Sequence, residues 1–368
     1  MALAGQSGLS TPMTTMDLER VKTRQTPKII PFDESKSEAW DTFVRTQSEG
    51  TLFHLTAWKR AIERAFGFVS RYLLAEDQGQ IRGVLPLFLS SNWVQGRTLI
   101  STPFAVYGGI CSDDPKARLA LREAARQMAV KEGVNYLELR EAYHAFGDGF
   151  LTKELYVTFE QELPADPEKL LKGFPKDTRY MIRKGQKGGL RSVNDKTYLD
   201  TFYDIYAASV RNLGTPVFSK MFFRILLEEF GDAAEVLTIW NGEDALAAVL
   251  SFRFRDTILP YYGGSLLEGR KFAANNFMYW EVFRSACERG LKTFDFGRSK
   301  LGTGSYFFKT QWNMRERPLP YQFFLVRRKD LPNFSPVNPK FKLATDIWKR
   351  IPLPLTKMLG PALVRLFP

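Results

Sequence analysis

The sequence predicts an α/β (α+β) chain built as two similar halves, and three observations predict it. One unit occurs twice: a tyrosine and two glycines, a helical segment, a closing glycine and a short alternating strand. Its copies are Tyr107-Gly108-Gly109 with residues 115–132, Gly133 and 136–140, and Tyr262-Gly263-Gly264 with 275–289, Gly290 and 292–296. Each copy follows a helix closed by glycine and a hairpin turn: 58–66, Gly67 and Asp77-Gln78-Gly79 in one half, 222–230, Gly231 and Asn241-Gly242 in the other. Finally, Glu138 and Asp295 occupy the same place, five residues beyond the closing glycine. A chain of 368 residues with 44% hydrophobic residues can bury one large core or two ordinary ones.

In chain order, the stretch up to about Pro27 is rich in Ser, Thr, Gln and Gly and reads as a disordered leader. Ile29-Ile30 begins the structure. Ser35 with Glu38 forms a capping box for a helix through Gln47 carrying Trp40, Phe43 and Val44. The Trp58 helix follows, then strands at 69–75 and 81–89 joined by the Asp77 turn. The first half ends near Arg140, and 143–149 is loop. From 169 to 191 the run Lys169, Lys172, Lys176, Arg179, Arg183, Lys184, Lys187 and Arg191 meets a single acid, Asp177. Lys176, Arg179 or Tyr180, Arg183 and Lys187 share one helical face, which reads either as a solvated surface or as a polyanion contact, the latter favoured by its one-sided sign. A long helix with Phe202, Tyr206 and Val210 then leads to the second copy. There Phe277, Trp280, Phe283 or Arg284, and Cys287 make a buried stripe, and Gly290 supplies the left-handed residue that ends the helix.

Charge and composition exclude several chemistries. The net charge of +12 favours anionic partners: nucleic acid, nucleotide-linked substrates or acidic lipid headgroups. His54 and His144 stand in no metal-ligand spacing, and no Gly-x-Ser-x-Gly elbow or Walker loop occurs, so no metal site, serine hydrolase or P-loop kinase is expected. Cys111 and Cys287 read as buried small hydrophobes. No stretch has the uncharged length to cross a bilayer, so the expected location is the cytoplasm.

The order of motifs (the Trp58 helix, Tyr107-Gly108-Gly109, the basic helix, Arg211, Trp280-Glu281, Phe294-Asp295-Phe296-Gly297 and Phe308-Lys309) resembles the FemAB family over about residues 32–326. Within it the sequence is most similar to the subgroup associated with exosortase (PEP-CTERM) and exopolysaccharide gene clusters. The resemblance implies two tandem GNAT-like acyltransferase domains, each a mixed twisted sheet flanked by helices. The division drawn here is a leader at 1–27, a first domain at 28–160, a second at 161–330 and a basic-aromatic tail at 331–368. It also implies transfer of an aminoacyl or acyl group, from aminoacyl-tRNA in the family, to an amine of a lipid- or nucleotide-linked cell-envelope or exopolysaccharide precursor. In that family an arginine before the second unit holds the acceptor's phosphates, and Arg211 occupies its place. A lysine after a phenylalanine lies near the reacting groups, matching Phe308-Lys309, whereas Lys59 and Arg60 are only neighbours of the family's second acceptor-binding lysine.

Acyl transfer to an amine builds charge on a carbonyl oxygen, which a cation stabilises most. Lys309 would supply that cation or hold the donor's terminal phosphate; Asp295 and Glu138 would orient or deprotonate the amine, or serve as structural acceptors. Tyr261, Tyr262 and Arg298 would line the cleft, the tyrosines equally well as core aromatics. No resident cofactor is expected, the donor being a co-substrate. An acyl-CoA donor remains open through Gly269-Arg270-Lys271-Phe272-Ala273-Ala274, a phosphate-loop pattern lacking its internal glycine. Lys176, Arg179, Arg183, Lys184, Lys187, Arg270 and Lys271 are the expected phosphate or nucleic-acid contacts. A non-catalytic scaffold that binds an anionic glycan precursor or RNA is the third reading. In the tail, Trp348, Phe367 and many aliphatic residues alternate with Lys349, Arg350, Lys357 and Arg365, broken by prolines 352, 354 and 361. Residues 340–368 therefore suit either an interfacial segment on the anionic inner face of the cytoplasmic membrane or a brace over the second half.

Overall fold

The computed structural model describes residues 26–332 and 339–368. The leader read over 1–27 and the start of the tail fall largely outside the described residues. Strand β1 (Lys28–Pro31) opens the chain, followed by α1 (Ser37–Thr46) and α2 (Thr56–Phe66). The first helix does not start with the Ser35–Glu38 capping box. Asp33 instead accepts the Ser35 amide and begins a short 3-10 turn, which hands over to α1 at Ser37. Gly67 ends α2 with φ +66°.

The two long strands expected at 69–75 and 81–89 are each split. They become β2 (Val69–Ser70) with β3 (Leu73–Asp77), and β4 (Gln80–Leu85) with β5 (Phe88–Asn92). β3 pairs with β1 and β4 in a three-stranded sheet, while β2 and β5 cross to a second sheet; Pro86, which has no N–H to donate, lies in the crossing between β4 and β5. Then come β6 (Gly96–Ile100), α3 (Pro115–Lys131), β7 (Tyr136–Leu139) and β8 (Leu151–Glu162). Asp114 caps α3 and Pro115 fills its first turn.

The basic run is two helices, α4 (Pro167–Gly173) and α5 (Lys176–Lys187), and not one, because Pro175 holds Phe174 extended. Arg191 falls in the next strand, β9 (Leu190–Asn194). The second half continues with α6 (Leu199–Leu213), α7 (Lys220–Phe230), β10 (Ala234–Asn241), β11 (Asp244–Phe254), β12 (Thr257–Ser265), α8 (Ala274–Glu288), β13 (Thr293–Asp295), β14 (Ser299–Lys300), α9 (Gly304–Thr310) and β15 (Arg315–Leu325). In α8, Phe277, Trp280, Phe283 and Cys287 are buried, while Arg284 turns outward to Glu281 and Glu288. The tail forms α10 (Pro339–Trp348) and α11 (Leu353–Val364).

The main sheet runs β2-β5-β6-β7-β15-β8-β13-β12-β11-β10-β9, with β14 on β8. Each half contributes one parallel step, Leu99–Leu137 with Ile100–Glu138 and Thr257–Thr293 with Ile258–Phe294, so the duplicated unit is a β-helix-β crossover in both. The main sheet runs on unbroken across 160/161. That point falls inside β8, which pairs with β13, and β15 from the far end of the second half lies between β7 and β8. The repeated Tyr-Gly-Gly explains itself by packing. A Cβ on Gly109 would stand 2.4 Å from the Glu141 carboxyl, and one on Gly264 would stand 2.7 Å from Ser209 on α6. Both cysteines are free and buried.

Candidate functional site

β12 and β13 stay paired for only two rungs and then part. Just beyond, a β-bulge inserts Tyr261 as an extra residue, since Leu250 pairs Tyr262 and the next residue, Ser251, pairs Pro260. The parted strands open on a cavity of about 370 Å³ at the junction of the halves. Tyr206, Tyr261 and Tyr262 form one wall, the Phe296-Gly297-Arg298 turn and Lys309 a second, and Phe104, Val106 and Arg140 of the first half a third; Val364, Phe367 and Pro368 of the tail complete it. The sequence-level candidates Lys309, Arg298 and Tyr262 therefore meet.

Lys309 projects from α9 into the preceding turn. Its ammonium donates to the carbonyls of Phe296 at 2.5 Å, Gly297 at 2.9 Å and Arg298 at 3.2 Å. Burial pushes it down to about 7, against a weaker upward pull from Asp295. Phe308 packs its ring among Tyr279, Phe296 and Trp312, which anchors the residue next to that lysine.

Asp295 does not face this cavity. It lines a separate one of about 340 Å³ with Tyr107, Glu160, Arg255 and Arg317. Its carboxylate accepts the Tyr107 and Thr158 hydroxyls and the Gly297 amide, each at 2.8 Å. Burial raises its pKa, and the Gly297 N–H opposes that shift. With three donors engaged, Asp295 fixes the turn that supplies the Lys309 carbonyls; the structural alternative fits it better than that of a base. Glu138 likewise receives the Arg140 Nε at 2.9 Å, in a third cavity of about 190 Å³. Arg140 and Arg298 border both that cavity and the larger one. Arg140 is buried and also donates to the carbonyls of Thr102 at 2.7 Å, Ala105 at 3.0 Å and Pro368 at 2.9 Å. Arg298 lies 4.6 Å over the Tyr156 ring and donates to the Tyr321 hydroxyl at 3.1 Å. The sequence reading passed over Arg140; the available signal was its place just past the end of β7, two residues after Glu138.

Other candidates lie elsewhere. Arg211 borders none of these cavities and donates to Asn212 at 2.8 Å and 3.3 Å. Lys59 is buried in ion pairs with Glu34 and Glu63, and Arg60 binds Glu229 of α7, so both hold elements together and neither reaches the cavity. Lys176, Arg183, Lys184, Lys187, Arg270 and Lys271 are exposed, and none forms an ion pair among the described residues. Arg179 is half-buried and donates to the Lys172 carbonyl at 2.9 Å. Helix α5 rests on α8 through Gly185 and Phe277, and a Cβ on Gly188 would touch the Phe272 ring at 3.4 Å, which brings the end of α5 beside Arg270 and Lys271. The 269–274 loop forms a 3-10 turn in which the amides of Gly269, Arg270 and Ala273 already bond to backbone carbonyls. Among the described residues no cluster suits a metal ion, and no helix is long and apolar enough to cross a membrane.

Residues 172–310 match the family model described as an acetyltransferase (GNAT) domain. Over the longer chain, the fold is similar to many solved structures, three of which follow. FemX aligns with TM-score 0.66 at 16% identity, covering 86% of this chain and 100% of its own. The C-terminal domain of a putative lysylphosphatidylglycerol synthetase from Agrobacterium fabrum aligns with TM-score 0.54 at 11% identity, covering 80% and 92%. A tandem GNAT protein from the clavulanic acid biosynthesis pathway aligns with TM-score 0.51 at 12% identity, covering 82% and 99%. None of the curated proteins matches the sequence. The fold is thus a tandem GNAT arrangement, with a GNAT domain in the second half.

Proposed function

We propose that this chain is an acyltransferase that moves an aminoacyl or acyl group from an activated donor to an amine of an anionic cell-envelope or exopolysaccharide precursor. The observation that carries the reading is the convergence of Lys309, Arg298 and Arg140 on the one cavity opened by the parting of β12 and β13. The amine nitrogen attacks the donor carbonyl, a nitrogen–carbon bond forms, and the carbon–oxygen or carbon–sulfur bond to the donor breaks. The amine's proton leaves to a base, and the departing hydroxyl or thiol is protonated. Lys309, half neutral near pH 7, suits that base; when charged it can give up its longest bond, the 3.2 Å one to Arg298, and turn toward the carbonyl oxygen. Arg140 and Arg298 supply positive charge for the acceptor's anionic group.

The donor favoured is aminoacyl-tRNA. The exposed cations of α5 lie on a helix whose end packs beside the 270–271 turn, an arrangement that supports contact with a long polyanion, whereas three amides of the loop needed for a compact pyrophosphate are already bonded. Incubation of the purified chain with charged tRNA or acyl-CoA, and with nucleotide- or lipid-linked amino sugars and peptides, tests this by mass spectrometry of the acceptor. Amide product from charged tRNA alone supports the reading. Product from acyl-CoA alone replaces the donor, and no product from either leaves the scaffold as the better account.

A further inference from the structure

We infer that the C-terminal helices α10 and α11 dock the protein on an anionic lipid bilayer. Their inner faces are committed to the protein. Thr356, Gly360 and Val364, at successive i, i+4 steps of α11, are buried, with Gly360 tight against Val217, and the Trp348 indole donates to the Thr215 carbonyl. The brace expected from the sequence is therefore present, yet it uses only one face. On the other face Leu355, Met358 and Leu359 of α11 and Leu343 and Ile347 of α10 are exposed, Leu343 by 68% and Met358 by 67%.

Two further features select a lipid surface as the occupant. Trp93 is 84% exposed in the β5–β6 turn, and Asn92 and Gln95 of that turn both donate to the Leu366 carbonyl, which puts an interfacial type of side chain at the tail's end. Exposed Arg350 and Lys349, the latter only loosely paired with Asp346 at 3.8 Å, flank the apolar face. A second copy, itself carrying +12, would be repelled there, while an anionic leaflet would be attracted. At 12 residues, α11 is too short to span a bilayer and is suited to lie along its surface. Since Val364, Phe367 and Pro368 also wall the cavity, docking would place that cavity next to the lipid headgroups.

The test is co-sedimentation of the full chain with vesicles of phosphatidylglycerol and phosphatidylcholine in equal parts. Wild type should partition to the vesicles, more weakly to pure phosphatidylcholine or in high salt, with tryptophan emission quenched by brominated lipid more in wild type than in Trp93→Phe. Leu355→Asp with Leu359→Asp should lower partitioning by at least about tenfold without changing the circular dichroism. Lys349→Gln and Arg350→Gln should each lower it by about fivefold. A wild type that stays in solution overturns the proposal, as does unchanged partitioning of the double aspartate variant. A concentration-dependent dimer in sedimentation velocity that the same aspartates abolish would assign the face to a second copy instead. Binding is read without turnover, so its failure leaves the proposed transfer reaction standing, and the converse also holds.

Discussion

A lysine whose three N–H groups all reach backbone carbonyls is held in place before any substrate arrives. Lys309→Ala should lower kcat by roughly 10²–10³-fold in the transfer assay while leaving the circular dichroism unchanged, because a group that takes the amine's proton, or turns its charge toward the carbonyl oxygen, contributes mainly in the transition state. If neutral Lys309 is the base, kcat/KM rises with pH through an inflection near 7, and Lys309→Arg, which stays charged, loses that inflection. Stability should respond with a definite sign. Below about pH 7 the lysine is charged whether the chain is folded or not, and the folded state bears the full cost of burial. Between about 7 and 10.5 only the unfolded chain keeps the proton, so stability increases with pH across that window; chemical denaturation of wild type against Lys309→Met would reveal the slope. Lys309 could be picked out from its neighbour Phe308, but the roles of Asp295 and Arg140 could not. Whether a carboxylate works as a base depends on how many donors already reach it, and here Tyr107 and Thr158 come from residues 188 and 137 positions away.

At the scale of elements, the repeated glycines were legible in the sequence but their reason was not: the structure shows that Gly109 and Gly264 each leave out a side chain where Glu141 or Ser209 approaches closely. Gly264→Ala should force β12 away from α6 and cost about 1–3 kcal/mol in urea denaturation. The helices around these motifs were readable because periodicity and closing glycines are local signals. The strands β8 and β15 were not foreseen: their pairing joins Arg315–Phe323 to Leu151–Glu160, a relation set by residues over 150 positions apart that leaves no short-range mark. Pro86 and Pro175 did leave a mark, as the missing N–H and the restricted preceding residue account for the split strands and the split basic run.

For the molecule as a whole, sequence repetition correctly indicated two alike halves but suggested a division that the sheet does not respect. Because β15 bridges β7 and β8, the halves should unfold together. Fluorescence from Trp40 and Trp58 in one half and Trp280 and Trp312 in the other, isolated by Trp→Phe replacement, should give coincident urea transitions. Two separated transitions would mean that the shared sheet couples them weakly. A fragment ending at residue 160 would keep β6 but lack β15, the second partner of β7, and should be insoluble on expression.

The bridging strand also sets a timetable for biosynthesis. β7 leaves the ribosome about 180 residues ahead of the strand that completes it, a delay of roughly 10–35 s at ordinary elongation rates. Throughout that interval a nearly finished first half waits with an open edge on both β7 and β8. Nascent chains of this protein should therefore be clients of ribosome-associated chaperones until Leu325 has emerged, and slowing translation after residue 162 should increase aggregation more than slowing it before residue 28.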